Sequence, residues 1–426
     1  MTNDESPNHP ITESSNHPIT ESSNHRFVAG VWLLVLSALL LVCGLCAGTF
    51  YLVAPFFART HQEAIQTNIF VGGLAAFGVL FGMLFAWQAI ATLRHRLPTT
   101  VTQLFPPAGI LFVAFLVALG LGSALLTLGP IAAFVFPPFH FLASVLLPLT
   151  LLAYTARQLN VTSGVRALVA ALGWGALGST FLALLLEGVM GVIMLAGIAI
   201  ALALTPDGVW YLSRLSDELR AMRMLDEQAA LRWLLANPGI VVVALVYFAG
   251  VVPLIEESVK TLILALMDPS RTRARDAVLW GVAAGVGFAL VENVLNAGIL
   301  LEMWAATVLA RVGAAIMHTA NGITMARGWY AARVERRWDK LLIAYAVSVV
   351  LHALWNVFAA GQALGIAGWL SEERALRVES LWLWLNLAML VGLVILTSGG
   401  IGWIVYAVRT ARINSTPSFE EGGTTA

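Results

Sequence analysis

Charge is scarce in this chain. Only 11% of its 426 residues are Asp, Glu, Lys or Arg, against about 25% in an ordinary soluble domain. The 24 basic and 24 acidic residues cancel, so there is no excess of basic charge for nucleic acid to meet, and none is expected as a partner. Cysteine is nearly absent: Cys43 and Cys46 stand alone, too few for a disulfide framework. Their C-x-x-C spacing admits a redox or metal pair, but inside a run of Leu and Gly they read as two small apolar residues on one helix turn. Familiar hydrolase signatures are missing as well. The chain has no H-E-x-x-H and no G-x-S-x-G, and Asp207, Asp217, Asp226, Asp268, Asp276 and Asp339 fall outside the apolar runs, which excludes an intramembrane aspartyl pair.

What the chain has instead is apolar length. It is 59% hydrophobic with a mean hydropathy of +0.83, the composition of an all-α, multi-pass membrane protein whose partner is the lipid bilayer. Segments near the ~20 residues a helix needs to cross the hydrocarbon layer fall at about 27–54, 69–91, 108–128, 131–154, 165–186, 188–204, 240–266, 277–300, 304–326, 341–362 and 381–408. This predicts a helical bundle of nine to eleven spans. Glu187 and Gly188 suggest a tight turn that divides 165–204 into two short helices.

The organisation along the chain follows from composition. Residues 1–26 contain an octad, ESPNHPIT then ESSNHPIT then ESSNH, with no apolar period to build a core, and are expected to be a disordered tail. Its His9, His17 and His25 are expected to be solvated rather than to hold a metal. The apolar run that follows, from Phe27 to about Ala54, exceeds the roughly 7–15 residues of a signal-peptide core and reads as a retained anchor. Residues 27–204 would form an N-terminal transmembrane bundle, and 205–237, with Leu, Met and Trp at helical intervals between charges, an amphipathic interfacial linker. Residues 238–362 would be the functional membrane core, 363–410 a loop and last helix, and 411–426 a polar tail. Under eleven spans the positive-inside rule is violated, because Arg94, Arg96, Arg157 and Arg166 fall opposite the runs Arg271, Arg273, Arg275 and Arg327, Arg333, Arg336, Arg337, Lys340. One segment between 165 and 266 therefore does not span simply.

The core carries polar groups where they are costly. An ionisable side chain at mid-bilayer costs roughly 2.5–3.5 kcal/mol on the lenient insertion scale, and this segment holds several. In Glu256-Glu257-x-x-Lys260 the lysine follows the two glutamates by four and three residues and can reach either. Pro253 upstream would kink the helix, as where a membrane helix opens around a cavity. Phe288, Glu292 and Asn296 share a face in a stretch of small residues that permits close helix packing, with Asn293 beside them. Glu292 has no basic neighbour on its own helix, so its partner must come from another. His318 shares a face with Arg311 and Asn321, and His352 shares one with Asn356. Each motif alone has a structural reading: snorkelling charges, or an interhelical hydrogen bond. Together they suit a shared site in which a glutamate takes a proton from water and imidazole or amide donors stabilise an oxyanion. Two His and a Glu would equally hold zinc with a water in the fourth position.

These motifs, in this order, resemble the PrsW family of bacterial intramembrane proteases, related to the CAAX-prenyl endopeptidases and bacteriocin-processing enzymes. The resemblance covers about residues 240–360. It implies an endopeptidase of the bacterial cell membrane acting on membrane-associated or membrane-spanning proteins, anti-sigma-factor-like substrates among them. Carried over, Glu256, Glu257, Glu292, His318 and His352 become the catalytic set with Asn356, and Lys260, Phe288 and Asn293 its support. The resemblance leaves two cofactor states open, none or one zinc ion, the latter held by Glu292, His318 and His352. Neither histidine has the i, i+4 partner and intervening Glu of a helical zinc-protease motif, which tips the reading toward a glutamate-activated water. Two other classes use similar residues: a proton-coupled transporter, for which no second copy of the motifs is found in 27–204, and a non-catalytic membrane scaffold, which would not need intact glutamates and histidines.

Overall fold

The computed structural model describes residues 19–94, 105–161, 165–222, 233, 237–298, 301–370 and 379–413. Among these residues every regular element is helical. In chain order they are α1 (Ile19–Val53), α2 (His61–Leu93), α3 (Ala108–Leu125), α4 (Ala132–Leu159), α5 (Val165–Gly173), α6 (Thr180–Ala203), α7 (Gly208–Met222), α8 (Pro238–Val246), α9 (Val252–Lys260), α10 (Ala274–Ala297), α11 (Trp304–Arg333), α12 (Trp338–Leu370) and α13 (Glu379–Ile413). Nine helical runs are long and apolar enough to cross a membrane among the described residues, so the chain is an integral, multi-pass membrane protein. The tail expected at 1–26 lies outside the described residues up to position 18, and α1 already begins at Ile19. Of the polar tail at 411–426, residues 414–426 lie outside them.

Two boundaries differ from the sequence reading. The turn expected at Glu187-Gly188 is absent: α5, a π turn at Trp174–Ser179 and α6 form one continuous run, Val165–Ala203. An isolated Gly costs a helix only about 1 kcal/mol, whereas a turn in hydrocarbon would strand backbone N–H and C=O groups without partners. The other is α11, expected as an apolar span. It is not among the nine apolar runs, because it carries Arg311, His318, Asn321 and Arg327. At about 1.5 Å per residue it is still long enough to cross a ~30 Å core, and residues Gly313–Ile323 are buried against neighbouring helices rather than facing lipid. With 165–203 as one crossing and α11 as another, Arg157 and Arg166, Arg271 to Arg275, and Arg333 to Lys340 all fall on the same side. The positive-inside conflict disappears, because the basic runs then share the one side that the rule assigns to the cytoplasm.

The chain divides into two compact units, one of residues 1–47 and 74–98, the other of 48–73 and 99–426. In the first, α1 packs on α2 through Gly44 and Gly78, where an added Cβ would meet the facing backbone at 2.8 and 2.7 Å. The Ser37 hydroxyl donates to the Gly82 carbonyl at 2.8 Å. Cys43 and Cys46 are exposed on α1 and not disulfide-bonded.

In the second unit α10 is the central post, touching α4, α5, α11 and the π turn at Trp174–Ser179. Its glycines make that possible. A Cβ on Gly285 would collide with the His318 carbonyl, one on Gly281 with the Gly322 carbonyl, and one on Gly287 with the Leu172 carbonyl. These are the small-residue contacts by which membrane helices approach closely without a hydrophobic driving force. A satellite core around Phe136, Trp304 and Ile69 packs the ends of α4 and α11. At its centre, fully buried His140 accepts from Trp304 Nε1 at Nδ1 (2.9 Å) while its Nε2 bonds the Val294 carbonyl (2.9 Å).

Candidate active site

Four helices supply the site. Pro253 sits in the first turn of α9, directly after a π turn at Tyr247–Val251, since a proline there lacks the N–H that would continue the helix of α8. The looser turn leaves the Phe248 carbonyl to accept from Asn356 Nδ2 at 2.8 Å. Beyond this break, α9 delivers Glu256, Glu257 and Lys260, all buried. Helix α10 presents Phe288, Glu292 and Asn293, α11 presents Arg311, His318 and Asn321, and α12 presents His352.

Glu257 is the anchor. Its Oε1 accepts from Lys260 Nζ at 2.7 Å, from His352 Nδ1 at 2.8 Å and from Asn321 Nδ2 at 3.3 Å, and its side chain is fully buried. A carboxylate holding three donors in a water-excluded place is an orienting group, and it fixes which nitrogen of His352 carries the proton. With Nδ1–H given to Glu257, His352 Nε2 carries a lone pair, and it lies 3.6 Å from Glu256 Oε2. Glu256 Oε2 is buried and has no hydrogen-bond partner. Such an orphan is costly in a low-dielectric interior unless something else meets it.

Lys260 is the resident cation. Its ammonium also donates to His318 Nδ1 at 2.9 Å, lies 3.8 Å from Glu256 Oε2, and sits 4.4 Å from the centre of the Phe288 ring. The face of Phe288 therefore stabilises a charge that the bilayer would reject. His318 uses its other nitrogen, Nε2, on Glu292 Oε2. Glu292 finds its missing basic partner on α11: Arg311 meets its Oε1 at 2.8 Å and also donates through Nε to Asn293 Oδ1 at 2.9 Å. Asn296 adds a contact to Glu292 Oε1 at 3.2 Å, and Asn293 reaches the Ser144 carbonyl at 3.3 Å. The two imidazoles meet edge to face, 5.1 Å between ring centres. The Glu292 side chain, 21% exposed, is the least enclosed of the carboxylates.

Glu256, Glu257, Lys260, Phe288, Glu292, His318 and His352 thus form one cluster. Asn356 stands apart from it, on the Phe248 carbonyl, and Asn293 acts on it only through Arg311. Arg311 and Asn321 belong to the cluster although neither was singled out as a site residue. Their signal was the helix face they share with His318. Buried His140 and half-buried Glu187, in the N-terminal half, carried a weaker signal, a lone ionisable residue in an apolar run.

The donor atoms of Glu256, His318 and His352 lie within 4.8 Å of one another, close enough for one metal ion. The orphan Glu256 Oε2 and the free lone pair of His352 Nε2 fit such an ion, with Glu257 as the outer partner that orients the imidazole, whereas His318 has Nδ1 on Lys260 and Nε2 on Glu292 and would have to release one of them to join. In this grouping the carboxylate is Glu256; the sequence reading named Glu292. Glu292 instead grips the far nitrogen of His318.

A helical membrane domain with buried carboxylates and imidazoles around a lysine has the make-up of an intramembrane hydrolase. Residues 220–393 match the model of the PrsW family intramembrane metalloprotease. No curated protein and no solved structure matches the chain.

Proposed function

We propose that this domain hydrolyses peptide bonds of membrane-associated or membrane-spanning proteins, with Glu256 as the working carboxylate. The observation that carries this reading is the buried, unpartnered Glu256 Oε2 facing His352 Nε2 at 3.6 Å. In the reaction Glu256 takes one proton from a water, the resulting hydroxide oxygen bonds to the scissile carbonyl carbon, and the C–N bond breaks as that proton passes to the departing amine. Lys260 has three N–H groups, two of them engaged by Glu257 and His318. The third is the donor available to the developing oxyanion. Glu257 acts through His352 and Lys260 and is a positioning residue. Glu292, held by Arg311 and Asn296, sets His318 through its Nε2.

A second reading rests on the convergence of Glu256, His318 and His352 within 4.8 Å. These three residues would hold zinc, which when bound supplies Lewis acidity to the scissile carbonyl and to a water. Elemental analysis of purified protein beside Glu256→Gln separates the two. A proton-accepting Glu256 requires cleavage to fall by about 10²–10⁴-fold with metal content unchanged. A ligand role requires metal and cleavage to fall together, and chelators to inhibit the parent. Undiminished cleavage by Glu256→Gln contradicts both.

A further inference from the structure

A cavity of about 840 Å³ opens between α11, α12, α13 and the start of α10, on the far side of Asn321 from the carboxylates, with Asn321 the one cluster residue on its wall. Its inner end is lined by Met317, Leu351 and Leu396, and its mouth by Arg327, Glu335 and Lys340. Met317 and Arg327 are ten positions apart on α11, so the groove runs about 15 Å along the helix at ~1.5 Å per residue. That is half the ~30 Å hydrocarbon core, one leaflet. Few polar atoms on its wall are open: Thr324 donates to the Ala320 carbonyl at 2.9 Å, and Asn321 Nδ2 to the Ser348 carbonyl at 3.0 Å and to Glu257, which leaves Asn321 Oδ1 and Trp403 Nε1 unpartnered, too few to meet a backbone along the groove. An extended polypeptide lying here would leave its own N–H and C=O groups without partners. An acyl chain makes no such demand.

The mouth decides the headgroup. The Arg327 guanidinium lies 5.2 Å from the centre of the Trp403 ring, and among the described residues no ion pair joins Arg327 or Lys340 to a carboxylate, whereas neighbouring Arg337 is paired with Asp339 at 3.3 Å. Glu335 is the single carboxylate on the lining, so cations outnumber it. This end of the groove adjoins the Arg333–Lys340 turn, on the side the positive-inside rule makes cytoplasmic, the leaflet in which anionic lipids face basic pockets between helices. We infer that the groove is a binding site for an anionic glycerophospholipid, its acyl chain in the apolar trough and its phosphate at Arg327 and Lys340.

The test uses the full chain in detergent, with phosphatidylglycerol and phosphatidylcholine of identical acyl chains, read by native mass spectrometry and by the melting temperature. The parent should retain phosphatidylglycerol over phosphatidylcholine by about fivefold per cation, the size typical of one basic side chain at an anionic membrane surface. The double variant Arg327→Gln/Lys340→Gln should lose that preference while still binding both lipids. Gly399→Leu, at a groove-lining position where an added Cβ meets nothing within 4 Å, should fold normally and weaken retention of both lipids. Glycerol phosphate, which has the anion without the chains, should raise the melting temperature of none of them. Equal retention of the two lipids by the parent, an unchanged preference in the double variant, undiminished retention by Gly399→Leu, or equal stabilisation by glycerol phosphate would each overturn the inference. None of these readouts depends on cleavage.

Discussion

Glu257 and His352 lie 95 positions apart in sequence and 2.8 Å apart in space. Through this contact α9 and α12 are locked across the site, and the imidazole of His352 is set with Nε2 toward Glu256. The same carboxylate oxygen holds Lys260, so one acidic group is both the nearest counter-charge of the buried cation, with Glu256 Oε2 further off at 3.8 Å, and the orienter of the histidine.

Substituting Glu257 should therefore be a stability event before it is a catalytic one. Glu257→Gln keeps the shape and an acceptor for His352 but leaves the fully buried Lys260 without its nearest counter-charge. Breaking a buried pair from one side costs about 3–5 kcal/mol. The variant should melt well below the parent, and Glu257→Gln/Lys260→Met should recover part of the loss. An unchanged melting temperature in Glu257→Gln would count against the anchoring role.

The close approach of α10 and α11 gives a second expectation. Gly285→Ala places a methyl against the His318 carbonyl, forcing the helices apart at the level of the site, for a cost of about 1–3 kcal/mol. Gly399→Ala, with open space around its Cβ, should be neutral. Detergent melts of the two variants side by side check this, and equal melting would show that the contact is slack.

Arg311 is expected to matter through Glu292. Because it contacts Glu292 with one nitrogen and Asn293 with another, a planar fork is required and a lysine is a poor substitute. Arg311→Met should lower cleavage by at least about tenfold, or about 1.4 kcal/mol, and Arg311→Lys should restore only part. Full activity in Arg311→Met would remove Glu292 from the account.

The cysteines should be silent. Cys43→Ala/Cys46→Ala replaces two exposed, unbridged residues on α1 and should leave metal content, melting temperature and cleavage unchanged. Loss of metal in this variant would revive the C-x-x-C reading.

Much of this was legible because polar groups in an apolar run are conspicuous. The spacing of Glu256, Glu257 and Lys260 announced their ion pair, the isolation of Glu292 announced a partner on another helix, and Pro253 announced the break before α9. What sequence could not assign is which carboxylate does what. That depends on contacts between helices, where three donors fall on Glu257 and none on Glu256 Oε2. Asn356 shares a face with His352 yet serves the π turn, because helical spacing fixes a face and not the neighbour opposite it. The single run Val165–Ala203 was read as two helices because Glu187-Gly188 resembles a turn until the cost of exposing backbone to lipid is counted.

The most direct test of the account is cleavage by Glu256→Gln. Parent and variant, reconstituted in the same vesicles, would be given a library of fluorogenic single-span peptides, with melting temperature as the control for folding. The account requires turnover to fall by about 10²–10⁴-fold while the melting temperature stays close to the parent's, since Glu256 Oε2 has no hydrogen bond to lose. Cleavage at the parent's rate by a folded Glu256→Gln protein would contradict it.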